Sequence, residues 1–157
     1  MTKPFKHILF VCLGNICRSP FAEGLFAKLA DQNRFVGMEA QSAGLMALPG
    51  NSATHMAQRV AVEYDVDLIQ HSAQPMSKDL VSWSDMILVM EKSHSDSVVA
   101  HFPEATGKVQ LIRHYARYGS KKRGIADPYG LDYEAYRFCF VDIEDAVTGL
   151  VEYLRRI

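Results

Sequence analysis

Cysteine is scarce in this sequence. Three residues in 157 are an odd number and too few for the disulfide framework of a small secreted domain. That scarcity favours a reducing, cytoplasmic setting. An excess of charge of either sign is also missing. Seventeen Lys and Arg face eighteen Asp and Glu, a net charge of −1, which argues against nucleic acid or an anionic membrane as the main partner. No apolar run approaches the length of a membrane span. The opening "MTKPFKHILFVCLGN" carries a short apolar run but no signal-peptide cleavage pattern. There is no internal repeat and no low-complexity linker. The six histidines, His7, His55, His71, His94, His101 and His114, show no metal-site spacing. Neither a metal nor another cofactor is expected.

What is present suits a globular chain. Hydrophobic residues make up 48% and charged residues 22%, outside the range of disordered sequences. A length of 157 residues suggests one domain, residues 1–157, able to build its core without disulfides. "HILFVCL", 7–13, is a continuous, partly β-branched apolar run, the pattern of a strand buried on both faces. Phe21, Ala22, Leu25, Phe26 and Leu29 follow at helical spacing. Ser19 and Pro20 supply a cap oxygen and a first-turn ring, predicting that this helix starts there. Residues 37–43 alternate like a strand, and 51–64 predict a helix. A short helix near "SKDLVSW" precedes a second buried strand, 85–90. "SHSDSVVAHF" predicts a helix, "KVQLI" an edge strand at 108–112, and 133–154 a long amphipathic helix. The basic stretch 117–124, "RYGSKKRG", is expected to be an exposed loop. Strands alternating with helices imply a parallel sheet with right-handed crossovers, a three-layer α/β/α fold.

The chemistry concentrates in "VCLGNICRSP", 11–20. It lies between the first strand and the first helix, beyond a strand's carboxyl end, where sheets of this kind bind ligands. A helix N-terminus offers unpaired N–H groups and a positive dipole end. A loop curled there, Leu13, Gly14, Asn15, Ile16 and Cys17, can aim its amides at one phosphate or similar oxyanion. Gly14 permits a tight curl, and Asn15 tolerates a left-handed backbone. Arg18 can donate a two-toothed fork. Cys12 falls at the bottom of the cradle, where the same donors favour its thiolate, a nucleophile in line with phosphorus. The stretch lacks the Walker pattern and the G-x-S-x-G elbow. Cys12 and Cys17 have no second ligand pair for zinc. A thiolate attacking a phosphate ester needs an acid for the leaving oxygen. Asp127, in the turn "DPYG" at 127–130, is the leading candidate, with Tyr129 able to stack on an aromatic substrate.

These segments resemble the low-molecular-weight protein tyrosine phosphatases. The likeness rests on "VCLGNICRSP", "SAG" at 42–44, His71, "DMILVME" at 85–91 and "DPYG", and spans nearly the whole chain. It implies a four-stranded parallel sheet flanked by helices, no metal, and hydrolysis of phosphotyrosine through phosphocysteine. By position it makes Cys12 the nucleophile, Arg18 the phosphate clamp and Asp127 the general acid and base. Ser19 becomes the hydroxyl that eases thiolate departure. Asn15 matches the family's strained asparagine, with Ser42 and His71 as its supports. Leu13, Ile16, Leu48 and Tyr129 fall in the substrate pocket. The implied partners are a phosphotyrosine protein, such as a tyrosine kinase, and inorganic phosphate or another oxyanion. Gln74, Glu91, His94 and Gly130 depart from the common family pattern.

Three rival readings stand beside this one. Arsenate reduction uses relay thiols, but only Cys17 and Cys139 accompany Cys12. Arginine phosphatases of this kind carry threonine after the nucleophile, where Leu13 is apolar and suits an aryl group. A non-catalytic phosphate-binding or redox-sensing module would not need Cys12, Arg18 and Asp127 together. A nearby thiol such as Cys17 could condense with oxidised Cys12, forming a protective disulfide.

Overall fold

The computed structural model describes residues 4–157. Four parallel strands form one sheet in the order β2-β1-β3-β4: β1 His7–Cys12, β2 Glu39–Gly44, β3 Met86–Val89 and β4 Val109–Leu111. Among the described residues, five α-helices cover it: α1 Arg18–Gln32, α2 His55–Val62, α3 Lys78–Trp83, α4 Lys92–His101 and α5 Tyr133–Arg156. The pleat sends alternate residues of β1 to opposite faces. Ile8, Phe10 and Cys12 pack with α1, α2 and α5, while Leu9 and Val11 pack with Leu80 and Val81 of α3 and Val98 of α4. Both faces are buried, which is why β1 and β3 are continuously apolar. The result is three layers, α/β/α. Phe21 of α1 stacks on Phe140 of α5 with centroids 4.0 Å apart, joining the first and last helices over the sheet.

Several boundaries differ from the sequence expectation. The first helix begins at Arg18 with Cys17 in the cap position, not at Ser19. Ser19 is wholly buried, and its hydroxyl meets Cys12 Sγ and the Asn15 side-chain amide instead of capping the helix. Pro20 still falls in the first turn, where its missing N–H costs nothing. The helix expected over 51–64 is shorter, His55–Val62, capped by Thr54 Oγ1 accepting from Ala57 N–H at 3.1 Å. Residues 51–54 serve the neighbouring loops instead: Asn51 O accepts from Ala73 N–H, and Thr54 N–H donates to Ile16 O. β4 pairs only with β3 and is an edge strand. The stretch 117–124 is a loop, tied down at its start where the Asp145 carboxylate accepts from the amides of Arg117, Tyr118 and Gly119.

Candidate active site

β1 ends at Cys12, and α1 begins six residues later, so loop 13–17 must turn within five residues. Asn15 makes that turn in the left-handed region, with φ 57°, a conformation a side chain holds only when its surroundings demand it. Every polar group of Asn15 is engaged. Its N–H donates to Cys12 Sγ at 3.3 Å. Its Nδ2 donates to Ser19 Oγ at 2.8 Å and Ser42 Oγ at 2.9 Å. Its Oδ1 accepts from Gln74 N–H at 2.9 Å, and its carbonyl accepts from His71 Nε2 at 2.7 Å. Ser42 Oγ donates a hydrogen bond to Glu23 Oε1 at 2.6 Å. Burial raises the pKa of Glu23, against the lowering effect of Ser42 and His71.

The glycine this loop requires is Gly44, not Gly14. A Cβ on Gly14 would meet nothing nearer than Ile16 Cγ1 at 3.5 Å, ordinary contact. A Cβ on Gly44 would stand 2.7 Å from Leu13 O and 2.9 Å from Asn15 N. Gly44 lies beside Cys12 in the β1–β2 register, where the loop backbone crosses it.

The cradle opens on a cavity of about 280 Å3. Cys12 and Arg18, both buried, lie at its base. Leu13, Ile16, Met46 and Tyr129 give it apolar walls, and Asp127 stands at its rim. Met46 takes the place expected of Leu48, which is 68% exposed and outside the cavity. Cys12 Sγ lies 3.0 Å from Ser19 Oγ. No side chain caps α1, so its leading amides remain available to a ligand.

Arg18 is 1% exposed. Its Nη1 donates at 2.6 Å both to Glu91 Oε2 and to the Ile125 carbonyl. Its Nη2 lies 3.4 Å from Asp127 Oδ2, and its Nε has no partner. Burial alone would lower its pKa; the Glu91 bond and the Cys12, Asp127 and Glu91 charges outweigh that and raise it. With Nη1 held by Glu91 and Ile125, Nε and Nη2 form the remaining edge of the fork, Nε unpaired and Nη2 beside Asp127. Glu91 also meets His94 Nε2 at 3.5 Å. His94 is buried, and burial followed by the Arg18 charge lowers its pKa.

Asp127 Oδ1 accepts from Tyr129 N–H at 3.0 Å, an Asx turn that fixes the carboxyl's approach. Cys17 also lines the cavity, and its Sγ is 3.3 Å from Tyr136 OH and 3.7 Å from Thr54 Oγ1. Burial raises its pKa, and burial raises that of Cys139 further. All three thiols are free. Among the described residues, no group of three His, Cys, Asp or Glu is placed to hold a metal ion, and no helix is long and apolar enough to cross a membrane.

Four residues of the site escaped sequence reasoning: Glu23, Met46 as a cavity wall, Gln74 as an anchor of Asn15, and Glu91 as the support of Arg18. Only Glu91 carried a local signal, an acid just past the end of a buried parallel strand, in the ligand-binding zone of such sheets.

A buried thiol, a guanidinium edge and a set of helix amides converging on one apolar-walled cavity can bind a tetrahedral oxyanion and attack its centre. Known proteins share this arrangement's sequence and fold. A protein-arginine-phosphatase of Geobacillus stearothermophilus is 34% identical, covering 97% of each chain. The crystal structure of the Erwinia amylovora tyrosine phosphatase AmsI is 38% identical with a TM-score of 0.86, covering 96% of this chain and 93% of its own. Vibrio vulnificus Wzb in complex with benzylphosphonate is 37% identical with a TM-score of 0.86, covering 96% of this chain and 99% of its own. The family model for low molecular weight phosphotyrosine protein phosphatase matches residues 7–157, and the chain belongs to that family.

Proposed function

We propose that the protein hydrolyses phosphotyrosine in protein substrates through a phosphocysteine intermediate on Cys12. The observation that carries this reading is Arg18, buried with one nitrogen tied back by Glu91 and Ile125 and its Nε unpaired beside the cavity. Such an edge is suited to two oxygens of a phosphate. In the first step the Cys12 thiolate attacks phosphorus and the bond to the tyrosyl oxygen breaks. Asp127 gives that oxygen its proton, so tyrosine leaves neutral. In the second step water attacks phosphorus, Asp127 takes its proton, and the P–S bond breaks. Ser19, 3.0 Å from Cys12 Sγ, donates to the departing thiolate. Arg18 and the loop amides hold the equatorial oxygens throughout.

Apolar walls of Leu13, Ile16, Met46 and Tyr129 support an aryl substrate. The relative that binds benzylphosphonate, an aromatic phosphate mimic, is consistent with that. The 34% identity to an arginine phosphatase favours a second reading, phosphoarginine hydrolysis. Leu13 argues for the aryl group, since a flat ring gains from an apolar wall and a guanidinium does not. Turnover of matched phosphotyrosyl and phosphoarginyl peptides tests the choice. The tyrosine reading predicts faster hydrolysis of the first, and the reverse order would overturn it. A phosphorylated tyrosine kinase in the cytoplasm is the substrate and setting this reading favours.

Reversible oxidation belongs to the same proposal. Peroxide takes the Cys12 thiolate to a sulfenic acid; the Cys17 thiol condenses with it, releasing water and leaving a disulfide that a thiol reductant reopens.

A further inference from the structure

The loop 117–124 is the most basic stretch of the chain, with Arg117, Lys121, Lys122 and Arg123 and no acid. Two of its cations are occupied. Arg117 pairs with Glu144, Asp145 and Glu152 of α5. Lys121 Nζ donates to the carbonyls of Ala116 and His114, which holds the loop in shape. Lys122 and Arg123 are exposed, and neither forms an ion pair among the described residues. The carboxylates of the surrounding elements are engaged elsewhere: Asp142 with Arg113, Glu144 and Asp145 with Arg117, and Glu91 and Asp127 with Arg18.

The loop is anchored to the catalytic cradle at its other end. Gly124 lies against Glu91 and Met90, where a Cβ would come within 3.2 Å of Glu91 Cα and Met90 O. Ile125 N–H donates to Met90 O at 2.8 Å, and Ile125 O accepts from Arg18. Arg123 is two residues from Ile125, so its backbone lies within about 7 Å of the residue bonded to the phosphate clamp. Side chains two to four positions along an extended peptide stand roughly 7–14 Å from the reacting residue, and the four residues from Arg123 to Asp127 of the cavity span at most about 14 Å.

We propose that Lys122 and Arg123 form a docking surface for acidic residues flanking the phosphotyrosine of the substrate. This rests on the phosphotyrosine reading above and deepens it. The two cations sit on a braced loop, form no ion pair among the described residues, and lie five and four residues before Asp127, which lines the cavity that takes the phosphate. Acidic side chains on an extended substrate segment complete them. Exposed ion pairs are individually weak, so the surface selects among substrates and is not needed for turnover itself.

The test is kcat/KM on two phosphotyrosyl peptides, identical except that Asp and Glu flank the phosphotyrosine in one and Asn and Gln in the other. The parent enzyme is expected to prefer the acidic peptide about three- to tenfold at low ionic strength, from two exposed pairs. Added salt should erase the preference as screening shortens. The double variant Lys122→Ala/Arg123→Ala should show no preference, and Lys122→Glu/Arg123→Glu should invert it. Both variants should hydrolyse a small aryl phosphate at the parent's rate, which also shows that they fold. Equal rates on the two peptides with the parent, or a preference that survives in the alanine variant, would overturn the docking surface. A parent inactive on the small aryl phosphate would overturn the phosphotyrosine reading beneath it.

Discussion

At the scale of the residue, Arg18 is informative because its position depends on another residue. Glu91 Oε2 and Ile125 O hold Nη1 at 2.6 Å, so the guanidinium cannot swing to meet a ligand and does not need to. Glu91→Gln keeps the shape and removes the charge-assisted bond, worth about 1.5–3 kcal/mol. Turnover of an aryl phosphate should fall about tenfold or more, and inorganic phosphate should inhibit less well. Unchanged values for both would mean that Glu91 does not support the clamp. Cys17 gives a second residue-scale prediction. Burial favours its protonated form at neutral pH, so peroxide attacks Cys12 first and Cys17 acts only as the resolving thiol. After peroxide and then a thiol reductant, the parent should recover activity and Cys17→Ser should recover poorly. Equal recovery would leave Cys17 with only its contacts to Tyr136 and Thr54.

At the scale of the element, α4 couples stability to pH through His94. Burial and the neighbouring Arg18 charge keep its pKa below the usual 6.5, with Glu91 and Asp127 opposing. The unfolded chain binds that proton more readily, so the contribution of neutral His94 is fully present above about pH 6.5 and is lost as pH falls below it. Thermal melts should show a smaller acid-side loss for His94→Gln than for the parent; parallel curves would contradict this. The elements also show what a sequence can carry. Apolar runs and helical spacing depend on near neighbours, so β1, β3, α5 and their layers were legible. Features formed by chain crossings were not. Ser19 looks like a cap until Cys12 and Asn15 claim its hydroxyl. The glycine that matters is Gly44, because a loop 27 residues upstream of Ser42 in sequence reaches across to bond it. Glu91 finds Arg18 across a separation of 73 residues; its place past the end of β3 marks it as a site candidate, but nothing local names Arg18 as its partner. Leu48 and Met46 are both exposed apolar residues two apart, and only the path of the loop decides that Met46 lines the cavity.

At the scale of the whole molecule, the sheet is shared by two apolar layers, and Phe21 on Phe140 clamps the ends of the chain together. Such a molecule should unfold as one unit, in keeping with a single domain. Phe140→Ala should cost about 3–5 kcal/mol, moving one cooperative transition to lower temperature without splitting it; two separated transitions would contradict a single domain. The same shared sheet sets the nucleophile, the clamp and the acid around one cavity. The measurement that tests that convergence most directly is an acid quench of Asp127→Asn during turnover of an aryl phosphate with a good leaving group. Attack then needs no proton donor, while hydrolysis of the intermediate lacks its base, so phosphate should accumulate. Mass spectrometry of the quenched protein should find that phosphate on Cys12. Continued turnover with Cys12 unmodified would contradict the account.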